Sequence, residues 1–264
     1  MNLQLKGKKA LVTGSTAGIG LAIATQLCRE GADIVVNGRS QQRVDQAIQN
    51  IRLQYLESKI TGMVCDFAKV EEVDQLLTLV PEVDILVNNV GIFEPRKFVD
   101  ISDDEWYRLF EINVMSGVRL SRHYFKGMIN QNWGRIVFIA SESGVQIPEE
   151  MVHYGMTKSA QIAIANGLAR STKGSGVTVN SVLPGSTWSE GAETFITAMA
   201  QEKHMTNAEF EKLFFKENRP GSLLQRFATT DEVANLVTYL CSPLSSATNG
   251  AALRVDGGTL PTML

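Results

Sequence analysis

Short apolar runs alternate with longer segments of helical periodicity along almost the whole chain. The runs are rich in β-branched residues and apolar on both faces, which is typical of strands in a parallel sheet covered on both sides. They predict strands at residues 9–13, 34–37, 61–65, 85–88, 135–140, 177–182 and 252–255. The amphipathic segments between them predict helices at residues 19–30, 41–55, 70–79, 103–129, 152–172 and 231–241.

This alternation predicts an α/β fold, because right-handed crossovers place the helices on both faces of one parallel sheet. We therefore predict a doubly wound, Rossmann-type parallel sheet of about seven strands. No linker, repeat or low-complexity tract divides residues 1–264, so we predict a single domain. Residues 190–225 interrupt the alternation, and an insertion of this length near the carboxyl edge of a sheet predicts a substrate lid.

Charge and cysteine usage exclude several classes of protein. The 264 residues include 25 basic and 28 acidic side chains, a net charge of −3, which disfavours binding to nucleic acid or an anionic membrane. No apolar run is long enough to span a membrane, and the first residues do not read as a secretion signal. Cys28, Cys65 and Cys241 lie far apart, so we expect reduced thiols in a cytoplasmic protein, without a disulfide or a metal site.

A glycine-rich turn directly follows the first predicted strand. Residues 13–20 read TGSTAGIG and lead into the first predicted helix. Glycines in this position let a pyrophosphate approach the backbone N–H groups at a helix N-terminus. Although the spacing is not the common G-x-G-x-x-G, a strand before it and a helix after it favour dinucleotide binding. The predicted contacts in the turn are Gly14, Ser15, Thr16, Gly18, Ile19 and Gly20.

The end of the second predicted strand indicates which dinucleotide binds. An NAD site usually places Asp or Glu about 20 residues past the glycines, where the carboxylate accepts from the ribose 2′-OH. No acidic residue stands between Ile34 and Gln42, where Asn37, Arg39 and Ser40 are the candidate contacts. A guanidinium can pair with a 2′-phosphate through two N–H donors. The sequence therefore predicts NADP(H) in preference to NAD(H).

Tyr154 and Lys158 lie one helical turn apart and are candidates for acid–base chemistry. A phenol titrates near ~10, and a nearby ammonium group lowers its pKa towards the range that suits a carbonyl/alcohol pair. Ser141 ends a predicted strand thirteen residues before Tyr154 and can reach a carbonyl held beside it. Tyr55 and Lys59 share the spacing, but no such residue precedes them, so we assign the chemistry to Tyr154.

In this order the motifs resemble those of the classical short-chain dehydrogenase/reductase family over nearly the whole chain. The matching segments are TGSTAGIG at 13–20, Cys65 with Asp66, NNVG at 88–91, Asn113, Ser141, YGMTK at 154–158, and Pro184 with Gly185. The resemblance implies that Tyr154 is the general acid/base and that Lys158 lowers its pKa and holds the nicotinamide ribose. It further implies that Ser141 orients the substrate oxygen and that Asn113 binds a water linking Lys158 to solvent.

The resemblance also implies the remaining contacts and the assembly. The further cofactor contacts would be Asp66, Phe67, Asn89, Gly91, Tyr154, Lys158, Pro184, Gly185, Thr187 and Ser189. The substrate contacts would be Ser141, Gln146, Tyr154 and Trp188. The family usually assembles through helices placed like those at 103–129 and 152–172, so we expect a homotetramer or homodimer.

We therefore expect one dinucleotide-binding and catalytic domain that interconverts a secondary alcohol and a ketone with NADP(H) and without a metal. One alternative is a 3-oxoacyl-carrier-protein reductase, against which the acidic pair Glu149 and Glu150 argues, since a phosphopantetheine carrier favours a basic patch near the pocket. The other alternative is a non-catalytic dinucleotide-binding sensor or scaffold. The intact set of catalytic residue types disfavours it.

Overall fold

The computed structural model describes residues 2–56 and 58–263. The strands are β1 (Lys9–Val12), β2 (Asp33–Gly38), β3 (Ile60–Val64), β4 (Ile85–Asn88), β5 (Gly134–Ile139), β6 (Val177–Pro184), β7 (Thr187–Trp188), β8 (Ala228–Thr229) and β9 (Ala252–Val255). The α-helices are α1 (Gly18–Arg29), α2 (Gln41–Arg52), α3 (Val70–Leu79), α4 (Asp103–Phe110), α5 (Ser116–Asn130), α6 (Val152–Arg170), α7 (Glu190–Glu202), α8 (Asn207–Glu217) and α9 (Thr230–Leu240).

The strands predicted from the apolar runs form one parallel sheet. Within the described residues it has seven strands in the order β3-β2-β1-β4-β5-β6-β9. In its middle, Val12 of β1 lies opposite Val36 of β2 on one side and Val87 of β4 on the other. Strands β2 and β3 are added on one side of β1, and the chain then crosses to the other side, where β4, β5, β6 and β9 are added. Such a switch point opens a crevice at the carboxyl ends of the strands.

Two hydrophobic cores cover the two faces of this sheet. Along β1, Ala10 and Val12 belong to one core and Leu11 to the other, because successive side chains of a strand point to opposite faces. Buried residues of α1, α2 and α9 complete the first core, and those of α3, α5 and α6 complete the second. The predicted doubly wound α/β fold with helices on both faces is confirmed.

The helix predicted at 103–129 is not continuous. A capping box between Ser102 and Glu105 starts α4, and a π-helical segment, Glu111–Met115, separates α4 from α5. Such segments interrupt the regular i→i+4 bonding and frequently lie at functional sites. Asn113 sits in the middle of this one.

The insertion at 190–225 contains α7 and α8 and has its own small core. This cluster consists of the buried residues Ile196, Ala200, Phe210, Phe215 and Phe227. It is separate from the two cores of the sheet. A parallel pairing of Thr187 in β7 with Ala228 in β8 joins the two ends of the insertion.

Three further features of the described residues concern membrane-spanning helices, cysteine pairing and groups of metal ligands. None of its helices combines the length and the apolar character needed to cross a membrane. Cys28, Cys65 and Cys241 are free and buried. The residues at 2–56 and 58–263 also contain no group of three or more His, Cys, Asp or Glu side chains arranged to hold a metal ion.

Candidate active site

The glycine turn connects β1 to α1 at the carboxyl edge of the sheet. Gly14 and Gly18 have φ values of +60° and +56°, a left-handed conformation that favours glycine. A side chain at Gly20 would collide with the carbonyl oxygen of Gly14. The residue before α1, Ala17, has no polar side chain to occupy the first N–H groups of the helix. These groups are therefore suited to an anionic ligand.

Hydrogen bonds to the neighbouring strands β1 and β2 stabilise the conformation of this turn. The N–H of Gly14 donates to Asn37 Oδ1 at 2.9 Å, and the N–H of Ser15 donates to the Asn37 carbonyl at 2.8 Å. The Ser15 hydroxyl is fully buried and donates to the carbonyl of Val12 at 2.7 Å. Ser15, predicted as a cofactor contact, therefore lies behind the turn and supports it.

Adjoining cavities run from the turn along the carboxyl ends of the strands. One of about 520 Å³ is lined by Gly14, Arg39 and Arg43, and one of about 320 Å³ lies at the start of α1. Asn89 lines both of these and also a third cavity of about 770 Å³. Every predicted cofactor contact except Ser15 lines at least one of the three. Arg43 is an additional cation that the sequence analysis missed; it is ion-paired with Glu190.

Ser141, Tyr154 and Lys158 all line the largest of these three cavities. Ser141 follows the end of β5, whereas Tyr154 and Lys158 project from the first turns of α6. Lys158 is buried, and its Nζ donates to the Ile139 carbonyl at 2.9 Å and lies 5.6 Å from the centroid of the Tyr154 ring. The fold therefore brings these three predicted residues to one cavity.

Asn113 lies behind Lys158 and is fully buried. Its side chain accepts from the N–H of Ile92 at 2.8 Å and donates to Thr157 Oγ1 at 3.0 Å, so that it joins the loop after β4 to α6. Its backbone carbonyl accepts from Gln161 Nε2 at 2.6 Å.

Gln161 is a residue that the sequence analysis missed. Its Oε1 accepts from Lys158 Nζ at 3.1 Å while its Nε2 donates to Asn113, so it bridges the two. The sequence signal that could have identified Gln161 is its position about one helical turn after Lys158 on α6.

Glu142 is a second missed residue and lies beside the catalytic candidates. Its side chain is only 6% exposed, and it lines the largest cavity. The Ser141 hydroxyl donates to Glu142 Oε2 at 2.6 Å, and Arg219 Nε lies 3.7 Å from Oε1. The sequence signal that could have identified Glu142 is an acidic residue placed directly after an apolar strand and a candidate serine.

Burial governs the protonation of this site. It raises the pKa of Tyr154 well above its usual range, with a smaller increase from the Glu142 charge, while the hydrogen bond to Ser141 opposes both. It lowers the pKa of Lys158 to about 7, against an opposing effect of Glu142. The shift of the Tyr154 pKa is opposite to the one expected from Lys158, because desolvation of the phenolate is the larger effect. Tyr154 is therefore a protonated phenol at neutral pH.

The other two predicted substrate contacts, Gln146 and Trp188, do not line the largest cavity. Gln146 is exposed and lines a neighbouring cavity of about 410 Å³, which shares Glu142 and Arg219 with the largest one. Trp188 packs against Phe227, with ring centroids 5.4 Å apart. The largest cavity instead takes its apolar wall from Phe93, Phe210, Phe214 and Phe227. Its acidic residues besides Glu142 are Glu149, Glu150 and Glu217.

Comparison with known proteins relates the chain to one family. The family model described as short chain dehydrogenase matches residues 8–200. The protein named "Uncharacterized oxidoreductase YvaG" of Bacillus subtilis (strain 168) is 50% identical over 258 residues, which cover 98% of each chain. The 3-oxoacyl-[acyl-carrier-protein] reductase FabG of Aquifex aeolicus (strain VF5) is 34% identical over 262 residues, which cover 98% of this chain and 99% of the relative.

A solved structure extends the match to the whole fold. The crystal structure of L-sorbose reductase from Gluconobacter frateurii, complexed with NADPH and L-sorbose, superposes with a TM-score of 0.94. The two proteins share 30% sequence identity, and the alignment covers 100% of both chains. The seven-stranded sheet, the family model and these relatives together show that the chain belongs to the short-chain dehydrogenase/reductase family of oxidoreductases.

Proposed function

We propose that the protein is an NADP(H)-dependent oxidoreductase that interconverts a secondary alcohol and a ketone. The observation that carries this proposal is the position of Ser141, Tyr154 and Lys158 on one cavity of about 770 Å³. That cavity adjoins those around the glycine turn through shared residues such as Asn89 and Gly91. A carbonyl compound in the largest cavity would therefore lie next to a dinucleotide held at the turn.

The residues around the turn fit such a dinucleotide. The start of α1 offers free N–H groups, and Gly91 keeps the surface beside Lys158 flat, since a Cβ there would lie 3.2 Å from Lys158 Nζ. Arg39 is exposed at the end of β2 and lines the same cavity as Arg43, which suits the 2′-phosphate of NADP(H). The L-sorbose reductase neighbour was solved with NADPH. A bound nicotinamide would supply the hydride.

The protein would supply the proton and orient the carbonyl group. Tyr154 is protonated at neutral pH, which is the form that can donate a proton to the oxygen of a ketone during reduction. Ser141 lines the same cavity, and its hydroxyl would hold that oxygen. Lys158, whose pKa lies at about 7, would bind the nicotinamide ribose, and Asn113 would support Lys158 from behind through Gln161.

A 3-oxoacyl-carrier-protein reductase is the second candidate function. The FabG relative at 34% identity favours it. The acidic residues Glu149, Glu150 and Glu217 along the cavity disfavour it, because they would repel an acidic carrier and its phosphodiester-linked arm. Small neutral ketones therefore fit the cavity better.

A panel of substrates tests the proposal. We expect NADPH to be oxidised in the presence of at least one small ketone or hydroxyketone, and more efficiently, as kcat/KM, than NADH. Tyr154→Phe should lower kcat by at least about 100-fold, because it removes the proton donor, while NADPH binding measured by fluorescence stays unchanged. Acetoacetyl-carrier protein in the same panel tests the second candidate.

The outcomes of the panel separate the functions. Preference for the carrier-bound substrate would replace the first proposal with the second. NADPH binding without turnover of any member would indicate a sensor or scaffold, and full activity of Tyr154→Phe would refute the role of the phenol.

A further inference from the structure

A chain of polar contacts leads from Ser141 through Glu142 to Arg219. We propose that Glu142 is a positioning residue for Ser141, because its carboxyl group determines whether the serine hydroxyl points its proton into the cavity or away from it. The positive charge of Arg219 influences whether that carboxyl group is ionised or protonated. The catalytic consequence rests on the proposed function, whereas the hydrogen-bond arrangement itself does not.

The hydrogen-bonding capacity of the serine hydroxyl makes this arrangement a switch. A hydroxyl has one proton and two lone pairs. The Ser141 oxygen already accepts from the N–H of Ser143 at 3.1 Å, and it lies 2.6 Å from Glu142 Oε2. When Glu142 is ionised, the only proton of Ser141 is directed to the carboxylate. When Glu142 is protonated, its O–H occupies the second lone pair, and the proton of Ser141 is free to enter the cavity.

Only the second arrangement helps to reduce a ketone. The oxygen of a ketone is an acceptor and needs donors as negative charge develops on it. Tyr154 supplies one donor, and Ser141 supplies another only while Glu142 is protonated. The reaction therefore depends on the protonation of a carboxyl group that does not itself exchange a proton with the substrate.

The surroundings of Glu142 act on its pKa in opposite directions. Burial raises its pKa, while the hydrogen bond to Ser141 and the charge of Arg219 oppose this increase. Tyr154 and Lys158 on α6 line the same cavity as the carboxyl group, and Arg219 approaches it from the loop after α8. Arg219 is thus the one cation that joins Glu142 to the insertion at 190–225 among the residues that the structure describes. Neutralising it would raise the pKa of Glu142 further, and the protonated form would persist to higher pH.

Infrared spectroscopy tests the arrangement without any substrate. The difference spectrum between the wild type and E142Q should contain the carbonyl stretch of a protonated carboxyl group at neutral pH, and this band should disappear as the pH rises. In R219Q, measured against the double variant with E142Q, it should disappear at a higher pH. A Glu142 that is ionised at every pH at which the protein is folded would overturn the proposal, whatever the enzyme's activity.

Kinetics with the most active ketone of the panel test the catalytic consequence. Reduction by the wild type should decline at the pH at which the infrared band disappears. E142Q keeps a neutral donor beside Ser141 and should lack this decline, and R219Q should shift it to higher pH. E142L has no carboxylate to take the Ser141 proton and should also lack the decline, but it removes the donor that orients the hydroxyl and should lower kcat about tenfold with little change in KM. The exposed carboxylate variant E71Q should behave like the wild type.

One outcome identifies a different role for the same residue. The charge of Glu142 also raises the pKa values of Tyr154 and Lys158, so its removal alone would move the decline in E142Q to lower pH without abolishing it. A decline at lower pH, or a profile of E142Q that coincides with that of the wild type, would overturn the positioning role. A panel without any activity would refute the proposed function and leave the infrared result to decide the arrangement.

Discussion

At the scale of single residues, Gln161 has an orientation that its neighbours determine. The amide nitrogen must face the Asn113 carbonyl, which only accepts, and the amide oxygen must face the Lys158 ammonium, which only donates. Gln161 is 1% exposed, so water cannot readily take over either contact. The side chain is therefore a rigid spacer that sets the position of Lys158 Nζ relative to the π-helical segment.

Replacing this spacer should change the pH dependence of the enzyme. In Gln161→Glu a carboxylate would stand at the 3.1 Å contact with Lys158 Nζ, and an opposite charge at this distance favours the ammonium form. The pKa of Lys158, now about 7, should rise by roughly one unit or more. Lys158 would then stay charged to higher pH, and the limb of the kcat/KM profile that depends on this charge should shift to higher pH.

Gln161→Leu is the matched control, since it removes both hydrogen bonds without adding charge. It should lower kcat about tenfold and leave the position of that limb nearly unchanged. Identical pH profiles of Gln161→Glu and the wild type would show that Gln161 does not influence Lys158.

These residues also show which parts of the site local sequence can predict. Tyr154 and Lys158 share one helix, so their spacing alone places them on one face. Ser141 follows from the end of its strand. Glu142 follows Ser141 directly in the sequence, but its contact with Arg219 depends on how the distant insertion folds against the cavity. No periodicity in the chain encodes that contact.

At the scale of elements, the π-helical segment is a feature that the pattern of hydrophobic positions does not predict. The apolar spacing at 103–129 is that of a continuous helix, and a sequence window contains nothing that would interrupt it. The interruption coincides with the contacts of Asn113 to Ile92 and Thr157, which belong to other elements. The tertiary hydrogen bonds of the buried Asn113 amide thus accompany a π-helical geometry that helix propensity alone would not predict.

The insertion containing α7 and α8 should respond to mutation independently of the sheet. Phe215 is 2% exposed and packs in the separate cluster with Phe210 and Phe227. Phe215→Ala should cost about 3–5 kcal/mol of packing, largely confined to this cluster. We expect faster proteolysis within residues 190–225 and a KM for ketone raised several-fold, with a change of only a few degrees in Tm.

A core variant of the sheet provides the comparison for this prediction. Ile23 is fully buried in the first core. Ile23→Ala should lower Tm by roughly 5–10 °C, because it removes about 2–5 kcal/mol from the cooperative unit. If Phe215→Ala lowers Tm as much as Ile23→Ala and leaves proteolysis of the insertion unchanged, the insertion is not a separate unit and its role as a lid is refuted.

At the scale of the whole molecule, apolar side chains remain exposed on and before α4. Val99 and Tyr107 are 86% and 72% exposed, and Phe98 and Phe110 are also exposed. On α6, the small residues Ala163 and Gly167 face outwards and would let a second helix approach closely. These surfaces belong to the helices through which the family resemblance predicts assembly, so we expect a second copy of the chain to cover them.

Light scattering after size exclusion tests this assembly. The wild type should elute as a homotetramer or homodimer at micromolar concentration, and Tyr107→Glu should give a smaller species, since a buried unpaired charge at an interface costs several kcal/mol. Leu53→Glu is the matched control, because Leu53 is 80% exposed at the end of α2 and lies outside the predicted interface. A monomeric wild type would contradict the assembly, whereas an oligomer that persists in Tyr107→Glu would place the interface elsewhere on the molecule.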